Sequence, residues 1–137
     1  RAGPGLLRRR PAGEGARPGA ARLARSIRLF MVPGMYHCRG GPGVDAFGAS
    51  AQPAWPQDPS RDMLWALIRW VERDKAPDRI VGSRFDNGSL RFTRTLCPFP
   101  QSARFTGNGD ATDARSYRCV VDTLLAARMQ PLTNRTE

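Results

Sequence analysis

An apolar run, Leu29-Phe30-Met31-Val32, stops at Pro33-Gly34 and gives way to Met35-Tyr36-His37-Cys38-Arg39-Gly40-Gly41-Pro42-Gly43, so the fold must carry the chain's only histidine on a turn after a buried segment. From Ser26 to Val32 the residues after Arg28 are almost all apolar, the pattern of a strand covered on both faces in a mostly parallel sheet. In open α/β sheets the C-terminal end of such a strand is where chemistry collects. The glycines beyond His37 are expected to let the backbone leave without crowding whatever the imidazole must reach. Two readings fit: a structural histidine satisfied on a loop, or a base held ready for proton transfer.

The rest of the chain alternates clear and weak signals. Residues 40–59 read as a loop rich in Gly, Pro, Ala and Ser, with Trp55 between Pro53 and Pro56. Gly40-Gly41-Pro42-Gly43 is a turn rather than a phosphate cradle, since no Gly-Lys-Ser/Thr follows and no G-x-G-x-x-G fits. Asp58-Pro59-Ser60 offers a helix start with Asp58 as the cap. Met63, Leu64, Leu67, Ile68 and Val71 then recur at helical spacing, and Ala76-Pro77 closes the helix. Trp65 and Trp70 flank this stripe, which packs a core or, more rarely, forms an aromatic binding box. Residues 79–85 and 90–95 read as strands joined by Asp86-Asn87-Gly88-Ser89, whose Asn-Gly pair favours a tight hairpin turn. From Cys97 to Cys119 an irregular region is expected, and no second Cys or His near Cys97 has the spacing of a zinc site. Residues 121–129 suit a short helix, with a frayed end from 131 to 137. Asn87-Gly88-Ser89 and Asn134-Arg135-Thr136 fit the glycosylation pattern, which short sequences also match by chance.

Net charge is +10, and its distribution matters more than its size. Arg1, Arg8, Arg9, Arg10, Arg17, Arg22, Arg25 and Arg28 are opposed in their stretch only by Glu14. Residues 1–25 use only Arg, Ala, Gly, Pro, Leu and Glu, a composition that buries too little apolar surface to offset its ordering entropy. This arm is a disordered basic tail, a nucleic-acid-binding arm, or the product of GC-rich DNA read in the wrong frame. The chain has no uninterrupted apolar run near the membrane-spanning length of about 18 residues, nor an apolar segment followed by a small-residue cleavage site, so neither a span nor an export signal is read from it.

Four words in order, Arg28 to Gly43, Leu67 to Ile80, Phe85-Asp86-Asn87-Gly88, and Leu96-Cys97-Pro98-Phe99-Pro100-Gln101 with Cys119, resemble the C-terminal end of the tannase and feruloyl esterase family of α/β-hydrolases. The resemblance runs from about Ser26 to Val120, leaving residues 1–25 as the basic arm and 121–137 as a tail. It implies an α/β fold of which this chain is the C-terminal part: last core strand, histidine loop, amphipathic helix and terminal hairpin. At 137 residues such a part is incomplete on its own, because a whole α/β-hydrolase needs roughly 200 residues or more.

The resemblance also implies chemistry. α/β-Hydrolases order their triad nucleophile, acid, histidine, and His37 suits the third place. It would take the proton from a serine as that oxygen attacks an ester carbonyl, then return it to the departing alcohol or phenol. An imidazolium cannot accept that proton, so acid should remove activity. Cys38 would pair with a cysteine preceding the nucleophile, outside this chain, and Cys97 with Cys119; a free buried thiol is the other account of Cys38. The Cys97–Cys119 bond suits an oxidising compartment, secreted or periplasmic. None of Ser26, Ser50, Ser60, Ser83, Ser89, Ser102 and Ser116 sits in a nucleophile elbow, and no aspartate precedes His37, so the chain alone should be inactive. Tyr36 stands where the family pattern leads one to expect glycine, which leaves tannins or ferulate esters less secure as substrates than ester hydrolysis itself. No cofactor is expected; calcium, where family members carry it, belongs to a lid region to which no residue here is assigned. The partner expected is a phenolic or other carboxylic ester, with neither nucleic acid nor membrane. A different class of function is a non-catalytic basic module that contacts nucleic acid or an acidic surface through residues 1–25; a third possibility is a degraded gene product that never folds.

Overall fold

The computed structural model describes residues 22–37, 39–48 and 58–124. The arm expected over 1–25 therefore lies outside the described residues except for its last turn, where the Ser26 and Ile27 amides donate to the Leu23 carbonyl. Cys38, Trp55 and most of the helix and tail expected after residue 121 also lie outside them.

The clearest local signal gives the first hairpin. β1 (Ile80–Asp86) and β2 (Ser89–Leu96) pair antiparallel from Ile80 opposite Leu96 to Asp86 opposite Ser89, with a bulge between Arg84 and Phe85. Asn87 and Gly88 hold φ of 49° and 79°, the left-handed pair that a two-residue hairpin turn needs. Part of the expected loop runs along this hairpin. Ala46 bridges Ser83, with the Ser83 amide donating to the Ala46 carbonyl at 2.7 Å, and Val44 is buried against Gly82, where a Cβ would stand 2.5 Å from Val44 Cγ2.

Helix α1 spans Met63–Arg73 and starts four residues later than its sequence signal. The Arg61 and Asp62 amides both donate to the Asp58 carbonyl, so Asp58-Pro59-Ser60 makes a separate turn, and Asp62 caps the helix by accepting from the Leu64 and Trp65 amides at 2.8 and 3.3 Å. The helix ends at Asp74, in left-handed conformation, ahead of the expected Ala76-Pro77. Its inward contact is also narrower than the stripe suggests: Ala66 is buried, whereas Met63, Leu64, Leu67 and Val71 are exposed. The core cluster joins Val44, Ala66, Ile80 and Leu96, with Phe30, Val32, Phe47 and Phe92 packed around it.

The region expected to be irregular holds a second hairpin, β3 (Gln101–Phe105) with β4 (Tyr117–Val121), whose connection ends in a 3-10 turn at Ala114–Ser116. Its strands are short and β3 is largely polar, and contacts from the first hairpin tie the second to it. Thr93 accepts from the Ala114 amide and Thr95 donates to the Ala114 carbonyl, both at 2.8 Å. The Cys97–Cys119 disulfide, with Cα atoms 5.6 Å apart, ties the end of β2 to β4.

The expected last core strand is not a regular strand here. Residues 27–32 form no ladder: their pairing is one antiparallel bridge, Phe30 to Pro98, plus the Phe99 amide donating to the Leu29 carbonyl at 2.7 Å. A ladder needs a paired neighbour along its whole length, and among the described residues only the corner after β2 pairs with this segment. Phe30 and Val32 turn toward the core while Ile27, Leu29 and Met31 stand more than half exposed, so one face is covered, not both. The described residues thus form a mixed helix and strand unit with antiparallel pairings, and no described helix is long and apolar enough to cross a membrane.

Candidate functional site

Where residues 27–32 end, the chain makes a tight turn. The Met35 amide donates to the Val32 carbonyl at 3.4 Å, with Pro33 at the second position and Gly34 at the third with φ of 77°, the residues and angle of a type II turn. The loop then doubles back on itself. The Gly43 amide donates to the Gly34 carbonyl at 2.9 Å and the Tyr36 amide to the Gly40 carbonyl at 3.3 Å, which leaves His37 exposed at the closed end.

Gly41 and Gly43 serve this crossing. A Cβ on Gly43 would stand 2.2 Å from the Pro33 carbonyl oxygen, and one on Gly41 2.2 Å from that of Gly34. Both obstacles are backbone, so neither can move aside cheaply. Tyr36 is exposed and its ring lies against Gly41, since a Cβ there would come within 3.1 Å of Tyr36 Cδ1.

Two residues that the sequence did not single out hold the returning limb. Asp45 Oδ2 accepts from the Gly40 amide at 2.9 Å and from Arg84 Nη1 at 3.2 Å, while the same Nη1 donates to the Gly41 and Gly43 carbonyls at 2.9 and 3.4 Å. Arg84 reaches them from the middle of β1, beside the bulge, and its Nε also pairs with Asp86 at 3.4 Å. A contact across 39 to 43 residues has no local pattern by which a sequence could announce it.

Of the expected site residues, His37 is placed at the loop tip, Cys38 lies outside the described residues, and Cys97 is bonded to Cys119. That disulfide adjoins the histidine's own segment, because Pro98 and Phe99, next to Cys97, make the contacts with Phe30 and Leu29. Two apolar hollows flank the segment, one of about 590 Å³ beside Met31, Pro33, Pro42 and Phe99, the other of about 670 Å³ beside Phe30, Val32, Leu67 and Trp70. His37 lines neither of them. Among the described residues no group of three or more His, Cys, Asp or Glu is arranged to hold a metal ion. What the loop offers chemically is a proton-carrying ring on a backbone that is closed and braced on one side.

A family model described as tannase and feruloyl esterase matches residues 15–120, starting ahead of the words that carry the resemblance in the sequence. The chain is 47% identical over 106 residues to an uncharacterized esterase of Xanthomonas campestris pv. campestris, covering 73% of this chain and 18% of that protein. It is 45% identical over 107 residues to the mono(2-hydroxyethyl) terephthalate hydrolase of Piscinibacter sakaiensis, covering 76% and 15%. The crystal structure of feruloyl esterase B from Aspergillus oryzae superposes with a TM-score of 0.64 at 30% identity, covering 73% of this chain and 20% of that one. The chain thus spans less than a fifth of the length of these curated relatives.

Proposed function

Because this chain belongs to the tannase and feruloyl esterase family, we propose that it supplies the general-base histidine, His37, of a carboxylic-ester hydrolase. The observation that carries this reading is the loop itself: the ring sits at the tip of a backbone crossing that leaves no room for side chains at Gly41 and Gly43, directly after the Pro33-Gly34 turn. A base must be held in place to be useful, since misplacement by about 1 Å can cost on the order of 10²-fold in rate.

In this reading a serine hydroxyl attacks the ester carbonyl and gives its proton to the neutral His37 ring, whose imidazolium then protonates the departing alcohol or phenol. Water releases the acyl group from the serine by the same proton path in reverse roles. No cofactor enters the cycle. The serine and the aspartate that orients the ring belong to the larger part of the relatives that this chain does not match, and the chain by itself hydrolyses nothing. Cys38 bridges to a cysteine beside that serine, which fixes base and nucleophile to each other. The relatives' names, feruloyl esterase and mono(2-hydroxyethyl) terephthalate hydrolase, support esters of aromatic carboxylic acids as substrates. The Cys97–Cys119 bond supports an oxidising compartment, secreted or periplasmic.

A chimera tests this. Residues 15–120 replace the matching segment of the Piscinibacter hydrolase, and hydrolysis of mono(2-hydroxyethyl) terephthalate is followed with and without His37→Ala. Hydrolysis that falls by about 10³-fold or more with the substitution is expected of a triad base. Hydrolysis that survives it overturns the assignment, as does a chimera that is folded by circular dichroism yet inert.

A further inference from the structure

Arg84 and Asp45 do more than pair with each other. Their contacts converge on one short stretch of backbone: Gly40 through its amide, Gly41 and Gly43 through their carbonyls. The Asp58–Arg61 and Asp113–Arg115 pairs, by contrast, join residues three and two apart within a single turn. The Arg84 and Asp45 side chains are 23% and 21% exposed, so their charges are shielded more than those of surface pairs, which contribute little. Arg84 Nη1 shares its two N–H donors among the Gly41 carbonyl, the Gly43 carbonyl and the Asp45 carboxylate while Nε of the same rigid plane faces Asp86, and an ammonium on a flexible stem cannot place donors toward both sets at once.

We propose that Arg84 and Asp45 form a clamp that positions His37, working through the backbone of residues 40–43 rather than by touching the reacting atoms. β1 is the fixed end. Ser83, next to Arg84, is locked to Ala46 by amide–carbonyl bonds in both directions, at 2.7 and 3.1 Å, and Ala46 follows Asp45, so both clamp residues grow from one paired site. The free end is the returning limb of the loop, three residues beyond the imidazole. Without the guanidinium, the Gly41 and Gly43 carbonyls and the Asp45 carboxylate lose a shared donor, and Asp45 no longer has a partner to hold it toward Gly40. The crossing bonds at Gly34 and Tyr36 remain, so the loop loosens at its tip rather than unfolding.

This inference rests on the esterase reading for its rate consequence, and amide exchange judges the clamp separately. In the full 137-residue chain, Arg84→Met should speed hydrogen exchange of the Gly40 amide by about tenfold or more while the Ser83 amide, on the fixed end, keeps its protection. Asp45→Asn, which keeps the shape and an acceptor oxygen but loses the charge, should give an intermediate effect, and Arg84→Lys should fall between wild type and Arg84→Met. In the chimera the same variants should lower kcat by roughly 10- to 100-fold with KM nearly unchanged, because a displaced base slows the chemical step without weakening substrate binding. Arg115→Met, at an exposed pair, should change neither readout. Gly40 exchange unaltered in both Arg84→Lys and Asp45→Asn overturns the clamp whatever the chimera does. Faster Gly40 exchange with kcat untouched overturns the positioning role. Hydrolysis that survives His37→Ala while Gly40 exchange still responds to Arg84 leaves the clamp standing and removes the esterase reading.

Discussion

Gly40 and Gly41 are neighbours with the same backbone sign and opposite surroundings. Their φ values are 74° and 80°, but a Cβ on Gly40 would meet nothing within 4 Å, whereas one on Gly41 would lie 2.2 Å from the Gly34 carbonyl oxygen. Alanine at Gly40 therefore pays only for a left-handed residue, about 1 to 2 kcal/mol. Alanine at Gly41 carries that cost and also forces apart the two limbs of the loop, which adds the roughly 1 to 3 kcal/mol typical of overpacking, up to the cost of opening the loop. Urea midpoints at constant slope should rank wild type, Gly40→Ala and Gly41→Ala in falling order. Equal midpoints for the two variants would mean that the limbs do not cross as described. The same comparison explains what was legible at this scale: the cluster of glycines after His37 is visible in the sequence, but which of them face backbone and which face open space depends on a contact with Gly34, and no spacing rule encodes it.

Among the elements, helix α1 shows how two good local signals compete. Asp58-Pro59-Ser60 and Asp62 both fit the start of a helix, and both carboxylates do cap a turn: Asp58 accepts from the Ser60 amide and hydroxyl, Asp62 from the Leu64 and Trp65 amides. Asp62 is the buried one of the two, so Asp62→Ala should cost about 1 kcal/mol or somewhat more, against a smaller loss for Asp58→Ala, as read from thermal unfolding. The first hairpin was legible because Asn87-Gly88 encodes its own turn, while the second was not, because Gln101–Phe105 and Tyr117–Val121 owe their pairing to Thr93, Thr95 and a disulfide supplied by the first. The segment expected as a strand over 26–32 makes only one bridge here, because a ladder depends on neighbours that its apolar pattern does not contain. Acid should act on the turns that carboxylates close between β3 and β4. Hydrogen bonds from the Thr112 amide and hydroxyl hold the Asp110 carboxyl below its ordinary value of 3.8, and hydrogen bonds from the Arg115 side chain and amide do the same for Asp113. A depressed folded pKa gives stability that is fully present above 3.8 and lost as pH falls through the lower folded value. Carboxyl chemical shifts followed by NMR should thus titrate below 3.8 at both residues; midpoints at or above it would mean that these caps are not formed.

At the scale of the whole molecule, the buried apolar cluster among the described residues is Val44, Ala66, Ile80 and Leu96, while two apolar rows lie open: Ile27, Leu29 and Met31 ahead of the histidine loop, and Leu64, Leu67 and Val71 on α1. So small a cluster makes the covalent link matter. Cys97 and Cys119 close a loop of 22 residues, worth about 3 kcal/mol in the chain-entropy estimate, so the Cys97→Ser/Cys119→Ser double variant should unfold at clearly lower urea than the oxidised chain. The open rows lead to a sharper test, because a side chain already in water has little to lose. Leu67 is 51% exposed and Leu29 53%, so Leu67→Ser and Leu29→Ser should each cost this chain no more than about 1 kcal/mol. If the relatives' additional length covers these rows, as the esterase reading requires of a last core strand and its helix, the same substitutions in the Piscinibacter chimera should cost about 1.5 to 3 kcal/mol each, the worth of a buried leucine. A serine that is equally harmless in both settings would mean that neither row faces the rest of a hydrolase, and the loop between them would then have no nucleophile to serve.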